Sequence, residues 1–300
     1  MEKKPSNLAG KPRAQESTLL VKLLLNILTI DFEEWHNPQY VKDRCPENRR
    51  SNATQDIHLT LDLLEKYRTE ATIFVVGEIA QDHPELIEQI RDSGHELGFH
   101  GYDHEPLWEK TDREFQSEVK LFNSTIGGKC VGFRAPSFSI DDKTKWALKV
   151  LEESGYKYDS SIFPVKTSLY GIKDAPLNPY KPSFNDLTKQ DPNRKLWEFP
   201  LLVYPLLRFR IPAAGGFYLR LFPLSLIINA IKKANRNGYP AILYIHTWEL
   251  NPETPRLKLG FYRTFVTYHN LDGTCAKFGR ILSLYEFTGI RDFMEREGYD

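Results

Sequence analysis

Four apolar runs in this 300-residue chain each stop on a side chain capable of chemistry. NILTI ends at Asp31, HELGF at His100, VGF at Arg134 and AILYI at His246. Segments of helical character lie between the runs. Thr54 to Tyr67 repeats Ile57, Leu61 and Leu64 on one face, and HPELIEQIRDSG carries Pro84 near its first turn and Gly94 near its stop. TDREFQSEVKLFNSTIG and DDKTKWALKVLEESG read as two further amphipathic helices. This alternation builds an α/β fold around a parallel sheet or barrel, with chemistry at the C-terminal ends of the strands. Asp31, His100 and Arg134 all fall at such ends, and His246 follows the same pattern late in the chain.

The run GHELGFHGYDH sets His100 and His104 four residues apart, directly after a short buried strand. On one turn of chain both rings can face the same point, as a divalent metal requires of a compact two-histidine unit. Isolated pairs of this kind are usually core or surface histidines. The acidic cluster of TIDFEEW (Asp31, Glu33, Glu34) and the strand-end Arg134 and His246 turn the reading toward a shared site. Asp103, inside HGYDH, reads either as a partner to one imidazole or as a turn residue.

Composition narrows the function classes. Lys+Arg and Asp+Glu both number 40, which removes the usual electrostatic case for a nucleic acid or anionic-membrane partner, although a local basic groove stays possible. Cys45, Cys130 and Cys275 are far apart and odd in number, so neither a disulfide framework nor a zinc–thiolate site is expected. The run TLLVKLLLNILTID contains Lys22 and Asn26 and is too short to span a bilayer. No small-residue cleavage site accompanies the polar N-terminus. Residues 1–21 therefore read as a disordered tail and the protein as cytoplasmic, without an integral membrane segment; peripheral association stays open. The stretch 165–196, rich in Pro, Asn, Asp, Lys and Ser, reads as a long loop that can wall a cleft. A strand-like LWEFPLLVYP, a turn at AAGGFY, a helix through PLSLIINAIKKANRNG and a C-terminal capping helix with short strands complete the chain.

In this order, TIDFEEW, HGYDH, RAPSF, YDSSIFP and LYIHTWE resemble the motifs of the polysaccharide deacetylase (NodB-homology) family over about residues 25 to 295. WEFP, AAGGFYLRLFP and IHTWELNPETPR are similar to a subgroup linked to exopolysaccharide biosynthesis. The resemblance implies a distorted (β/α) barrel over residues 22–300, with a subgroup-specific extension from 165. It also implies a metal-dependent deacetylase, with Arg134 and Pro136 in the arginine–proline motif. One departure stands out: the family's first motif has adjacent aspartates, a base and then a ligand, whereas Phe32 follows Asp31 here. Residues two apart in an extended segment point the same way, so Asp31 is expected as base and Glu33 as ligand beside His100 and His104. Glu34 replaces Glu33 if the strand has already turned.

Two imidazoles and one carboxylate suit a catalytic zinc, with Co2+, Ni2+ or Mn2+ as alternatives. Such an ion acidifies a water and polarises a carbonyl. Arg134 is expected to hold Asp31 ionised, and His246 to protonate the departing amine, with Asp159 or Glu198 orienting its ring. Trp248, Tyr102, Trp108 and Phe138 are candidates for stacking on sugars. The expected substrate is an N-acetylated glycan or its lipid-linked precursor. Two readings compete with it: a hydrolase of small non-sugar amides, and a non-catalytic carbohydrate-binding relic. The sequence leaves the oligomeric state open.

Overall fold

A computed structural model describes residues 24–299, so the tail expected over 1–21 lies outside the described residues. The first half runs β1 (Asn26–Phe32), α1 (Ala53–Tyr67), β2 (Thr72–Val75), α2 (Gly77–Asp82), α3 (Pro84–Asp92), β3 (Glu96–Phe99), α4 (Asp112–Thr125), β4 (Gly132–Phe133), α5 (Trp146–Glu153) and β5 (Tyr158–Asp159). The second runs β6 (Trp197–Glu198), β7 (Val203–Leu206), β8 (Phe209–Pro212), α6 (Gly216–Leu221), α7 (Leu224–Arg236), β9 (Ile242–His246), α8 (Phe261–Tyr268), α9 (Thr274–Leu282), β10 (Phe287–Thr288) and α10 (Ile290–Glu297).

β1 is central, which is why all seven of its residues are buried, the polar Asn26, Thr29 and Asp31 included. It pairs in parallel with β2 on one side and β9 on the other, while β10 pairs its first residues, Asn26 and Ile27. From β2 the parallel order continues through β3, β4, β5 and β6. The ring is closed by irregular backbone. Leu201 N–H donates to Ile162 O and Leu202 N–H to Ile242 O, both at 3.1 Å, and Tyr244 N–H donates to Ala214 O at 3.0 Å. The result is a distorted (β/α) barrel, with the antiparallel β7–β8 hairpin standing out from the seam between β6 and β9.

The period-2 alternation of strands sorts the side chains. Leu97, Phe99 and Phe133 face outward, where Phe99 stacks on Phe122 and Phe115 at centroid distances of 4.5 and 6.3 Å; both partners are on α4. A reciprocal capping box between Thr111 and Glu114 starts that helix. The inward face is filled by large rings. A Cβ on Gly98 would lie 2.3 Å from the Phe74 ring, and one on Gly132 would lie 2.1 Å from that of Tyr158. These two glycines make room for the aromatic filling beneath the strand ends.

Several elements differ from the sequence expectations. AAGGFY leads into α6 rather than ending as a turn, VYPLLRFRIP folds back as a hairpin, and FYRTFVTY forms α8. Residues 165–196 hold no strand or helix beyond isolated bridges, as expected of a loop. No helix among the described residues is long and apolar enough to cross a membrane.

Candidate metal and catalytic site

Asp31 and Glu33 do share a face, because the chain stays extended through Phe32, which is itself fully buried. The Glu33 carboxylate meets Nε2 of His104 through one oxygen and accepts from Trp248 Nε1–H through the other at 3.0 Å. His100 follows β3 and points its Nδ1 at Arg134 O, 2.8 Å away. Donation to that carbonyl fixes the tautomer and leaves Nε2 with its lone pair. His104 sits at φ 56° in the tight HGYDH turn, a left-handed conformation costly for a non-glycine residue. The Pro136 ring packs against this turn at Gly101.

One ligand atom from each of Glu33, His100 and His104 can be chosen so that all three lie within 4.8 Å of one another, and all three residues are buried. Burial pushes the His100 imidazole down to about 4, so it is neutral at physiological pH. Burial opposes ionisation of Glu33, but His104, His246 and His100 outweigh it and hold the carboxyl well below its ordinary range. Imidazole lone pairs beside a buried carboxylate are the donor set of a catalytic zinc with an open position. The residues therefore fit a divalent ion.

Arg134 is fully buried inside the barrel. Its Nη1 donates to Asp31 Oδ1 at 2.8 Å and Thr29 Oγ1 at 2.7 Å, Nε donates to Ser160 O, and Nη2 to Ser160 Oγ. Its guanidinium lies 4.4 Å from the centre of the Phe74 ring. His246, at the end of β9, is paired in register with Asp31. Its Nε2 stands 3.9 Å from Asp31 Oδ2 and 3.7 Å from Glu33 Oε1. With its side chain 20 % exposed, it is the most open member of the group.

The orienting partner of His246 is neither Asp159 nor Glu198. His246 Nδ1 lies 2.7 Å from Glu249 Oε2, and Glu249 Oε1 accepts from Arg220 Nε at 2.7 Å. The carboxylates outweigh burial and raise the imidazole to about 9, while Arg220 and His246 outweigh burial and draw Glu249 down to about 2. Asp159 and Glu198 instead face each other across β5 and β6, bonded to Ser161 Oγ and Ile162 N–H. Burial raises both, Asp159 to about 6.

The remaining candidates divide between the cleft and other places. Glu34 turns away from the cluster to accept from Ser51 Oγ and Asn52 N–H at the start of α1. Of its two readings Asp103 takes the turn one, accepting from Glu105 N–H and Lys110 Nζ rather than meeting an imidazole. Trp248 lines the cleft but is nearly buried, donating to Glu33 and stacking on His246 at 5.5 Å. Tyr102 and Trp108 do not line the cleft, whereas Phe138 does.

The cleft above these groups encloses about 130 Å³ and is walled by Tyr40, Phe138, Tyr170, Phe217, Tyr244 and Val266. Tyr170 comes from the expected loop wall; Phe217 and Val266 come from α6 and α8.

Residues 43–158 match the family model described as polysaccharide deacetylase, and residues 160–295 match a domain of unknown function, DUF3473. The chain thus carries a polysaccharide deacetylase match over residues 43–158, followed by the DUF3473 match. A peptidoglycan-N-acetylglucosamine deacetylase of Bacillus cereus is 27% identical over 135 residues, 44% of this chain and 54% of that protein. The chain spans about half the length, or less, of the first curated relatives it matches. A Mycobacterium smegmatis crystal structure assigned to the polysaccharide deacetylases superposes with a TM-score of 0.56 at 18% identity, covering 90% of both chains. An allantoinase, PuuE, reaches 0.52 at 14% identity, covering 90% of this chain and 88% of its own. These structural likenesses concern the fold, which hosts more than one chemistry.

Proposed function

We propose that this chain is a metal-dependent hydrolase that removes acetyl groups from N-acetylated sugars of a polysaccharide or of its lipid-linked precursor. The observation that carries the reading is the buried Glu33–His100–His104 group opening onto the same cleft as the Arg134-paired Asp31 and the Glu249-paired His246. Glu33, His100 and His104 would hold the ion, zinc in the first instance. That ion supplies Lewis acidity to the acyl carbonyl and the attacking water.

The remaining work falls to the chain's own residues. Asp31 takes the proton of the attacking water, and the Arg134 fork holds its carboxylate in place. His246 carries a proton on Nε2 because Glu249 favours its imidazolium, and it delivers that proton to the departing nitrogen. An amine leaves far more readily than an amide anion. Acid and base stand side by side at the same end of the cleft, 3.9 Å apart.

The cleft volume refines the substrate pose. At about 130 Å³ it is smaller than the roughly 300 Å³ of ordinary ligand pockets, so it receives the acyl group while the sugar ring lies at the mouth. There Tyr262, in edge contact with Tyr40 at 5.9 Å, offers an exposed ring. The same narrowness favours the second reading, a hydrolase of small linear amides that enter whole. The test is acetate release from N-acetylglucosamine oligomers by chelator-stripped, zinc-reloaded protein, run beside small amides. Turnover of small amides alone replaces the first reading with the second. No turnover by a zinc-loaded protein that still binds the oligomers leaves a binding relic.

A further inference from the structure

Residues 199–248 contain no Asp or Glu, yet they carry Arg208, Arg210, Arg220, Lys232, Lys233 and Arg236, in a chain whose acids and bases number 40 each. The β7–β8 hairpin lies in this stretch, with Leu206, Leu207, Arg208 and Phe209 at its tip. Leu207 is 96 % exposed, Phe209 61 % and Leu206 45 %. Leu207 also adopts φ 53°, a left-handed conformation that hairpin turns ordinarily give to Gly, Asn or Asp. A turn selected for folding alone would carry a polar residue there. This one accepts backbone strain in order to hold a leucine in the open.

The base of the hairpin is fixed. Arg210 Nη1 donates to Pro164 O and Ala175 O at 2.9 and 2.7 Å, and β7 packs against α7. The tip is left with Arg208 over the Phe209 ring at 5.2 Å, and α7 adds exposed Lys232, Lys233 and Arg236. None of these four cations has an ion pair among the described residues.

We propose that the hairpin tip and α7 form a docking surface for an anionic lipid bilayer. Leu206, Leu207 and Phe209 enter the interface, Arg208 extends along its apolar stem to the headgroup level, and the α7 cations lie against the surface charge. Charge selects this occupant. A second copy of the chain carries no net negative charge, and an N-acetylated glycan without acid groups gains nothing from an acid-free surround. An anionic leaflet gains roughly fivefold in binding for each Lys or Arg brought near it. The inference is independent of the hydrolase reading, since none of these residues lines the cleft.

The test is cosedimentation of the full chain with vesicles of phosphatidylcholine alone or containing phosphatidylglycerol. The expected result is binding to the anionic vesicles that weakens as salt is raised. A Leu207→Asn/Phe209→Ser double variant should partition at least about tenfold more weakly. Arg208→Glu should lose a comparable factor on anionic vesicles alone. Cooperative thermal melting no lower than that of the parent verifies that both variants fold. Failure of the parent chain to bind anionic vesicles overturns the proposal, as does equal binding by the double variant. A dimer in sedimentation that the double variant abolishes would assign the tip to contacts between copies instead.

Discussion

Replacing Arg134 with Met is the sharpest perturbation the barrel offers. The guanidinium makes four hydrogen bonds, to Asp31, Thr29 and two atoms of Ser160, and no solvent reaches it. Met fills much of the volume but leaves the Asp31 carboxylate buried without its cation. Breaking a buried pair from one side costs about 3–5 kcal/mol, most of it the stranded charge rather than the lost attraction. With a urea dependence near 3 kcal/mol per molar, the midpoint of unfolding should fall by roughly 1–1.7 M. Far-ultraviolet circular dichroism and tryptophan fluorescence would follow the transition on the metal-free protein. Adding Asp31→Asn removes the stranded charge, so the double variant should recover a large part of the loss, a coupling readable from the double-mutant cycle. A loss below about 1 kcal/mol, or a double variant less stable than Arg134→Met alone, would refute the argument that Asp31 is ionised and dependent on Arg134.

Other outcomes follow from the same geometry. Glu33→Gln should weaken zinc binding more than about 100-fold by calorimetry, the upper end for outer-shell effects, whereas Glu34→Gln should cost about 1 kcal/mol of stability and leave zinc in place. The reverse ranking would move the ligand to Glu34. Glu249 helps raise His246 to about 9, so Glu249→Gln should shift the alkaline limb of turnover to lower pH. An unmoved limb would show that His246 is not the acid. Burial lifts Asp56 to about 7; its Oδ1 accepts from Asn251 Nδ2 at 2.6 Å. Because the folded value lies above the unfolded one, this contribution to stability is complete below about pH 4 and lost as pH rises through about 7. Asp56→Asn should flatten that part of the stability profile, and an unchanged slope would assign it elsewhere.

The strand-end residues were legible because strand alternation is local: the pattern of TIDFEEW alone was enough to put Asp31 and Glu33 on one face. Glu249 stands three residues from His246, but their pairing depends on the tight helical turn that follows the strand, which nothing in IHTWEL marks. Under helical spacing the pair is adjacent. Arg220 gave no local signal, since its contact with Glu249 spans 29 residues and depends on how α6 meets the end of β9. The seam between β6 and β9 was equally hidden. It is made by irregular backbone bonds that leave no period in the sequence. Trp248 was legible as an aromatic near the site but not as the donor that fixes Glu33, because direction at a strand end depends on the turn that follows.

The filling of the barrel by Phe74 and Tyr158, made possible by the bare backbone of Gly98 and Gly132, decides the traffic through the molecule. With the floor solid, the cleft is a cul-de-sac. For a hydrolase working at its end, the severed acid forms at the blind end and the amine at the mouth. The larger product must depart before the smaller one can, and the small acid, lingering last, competes with the next substrate for the same place.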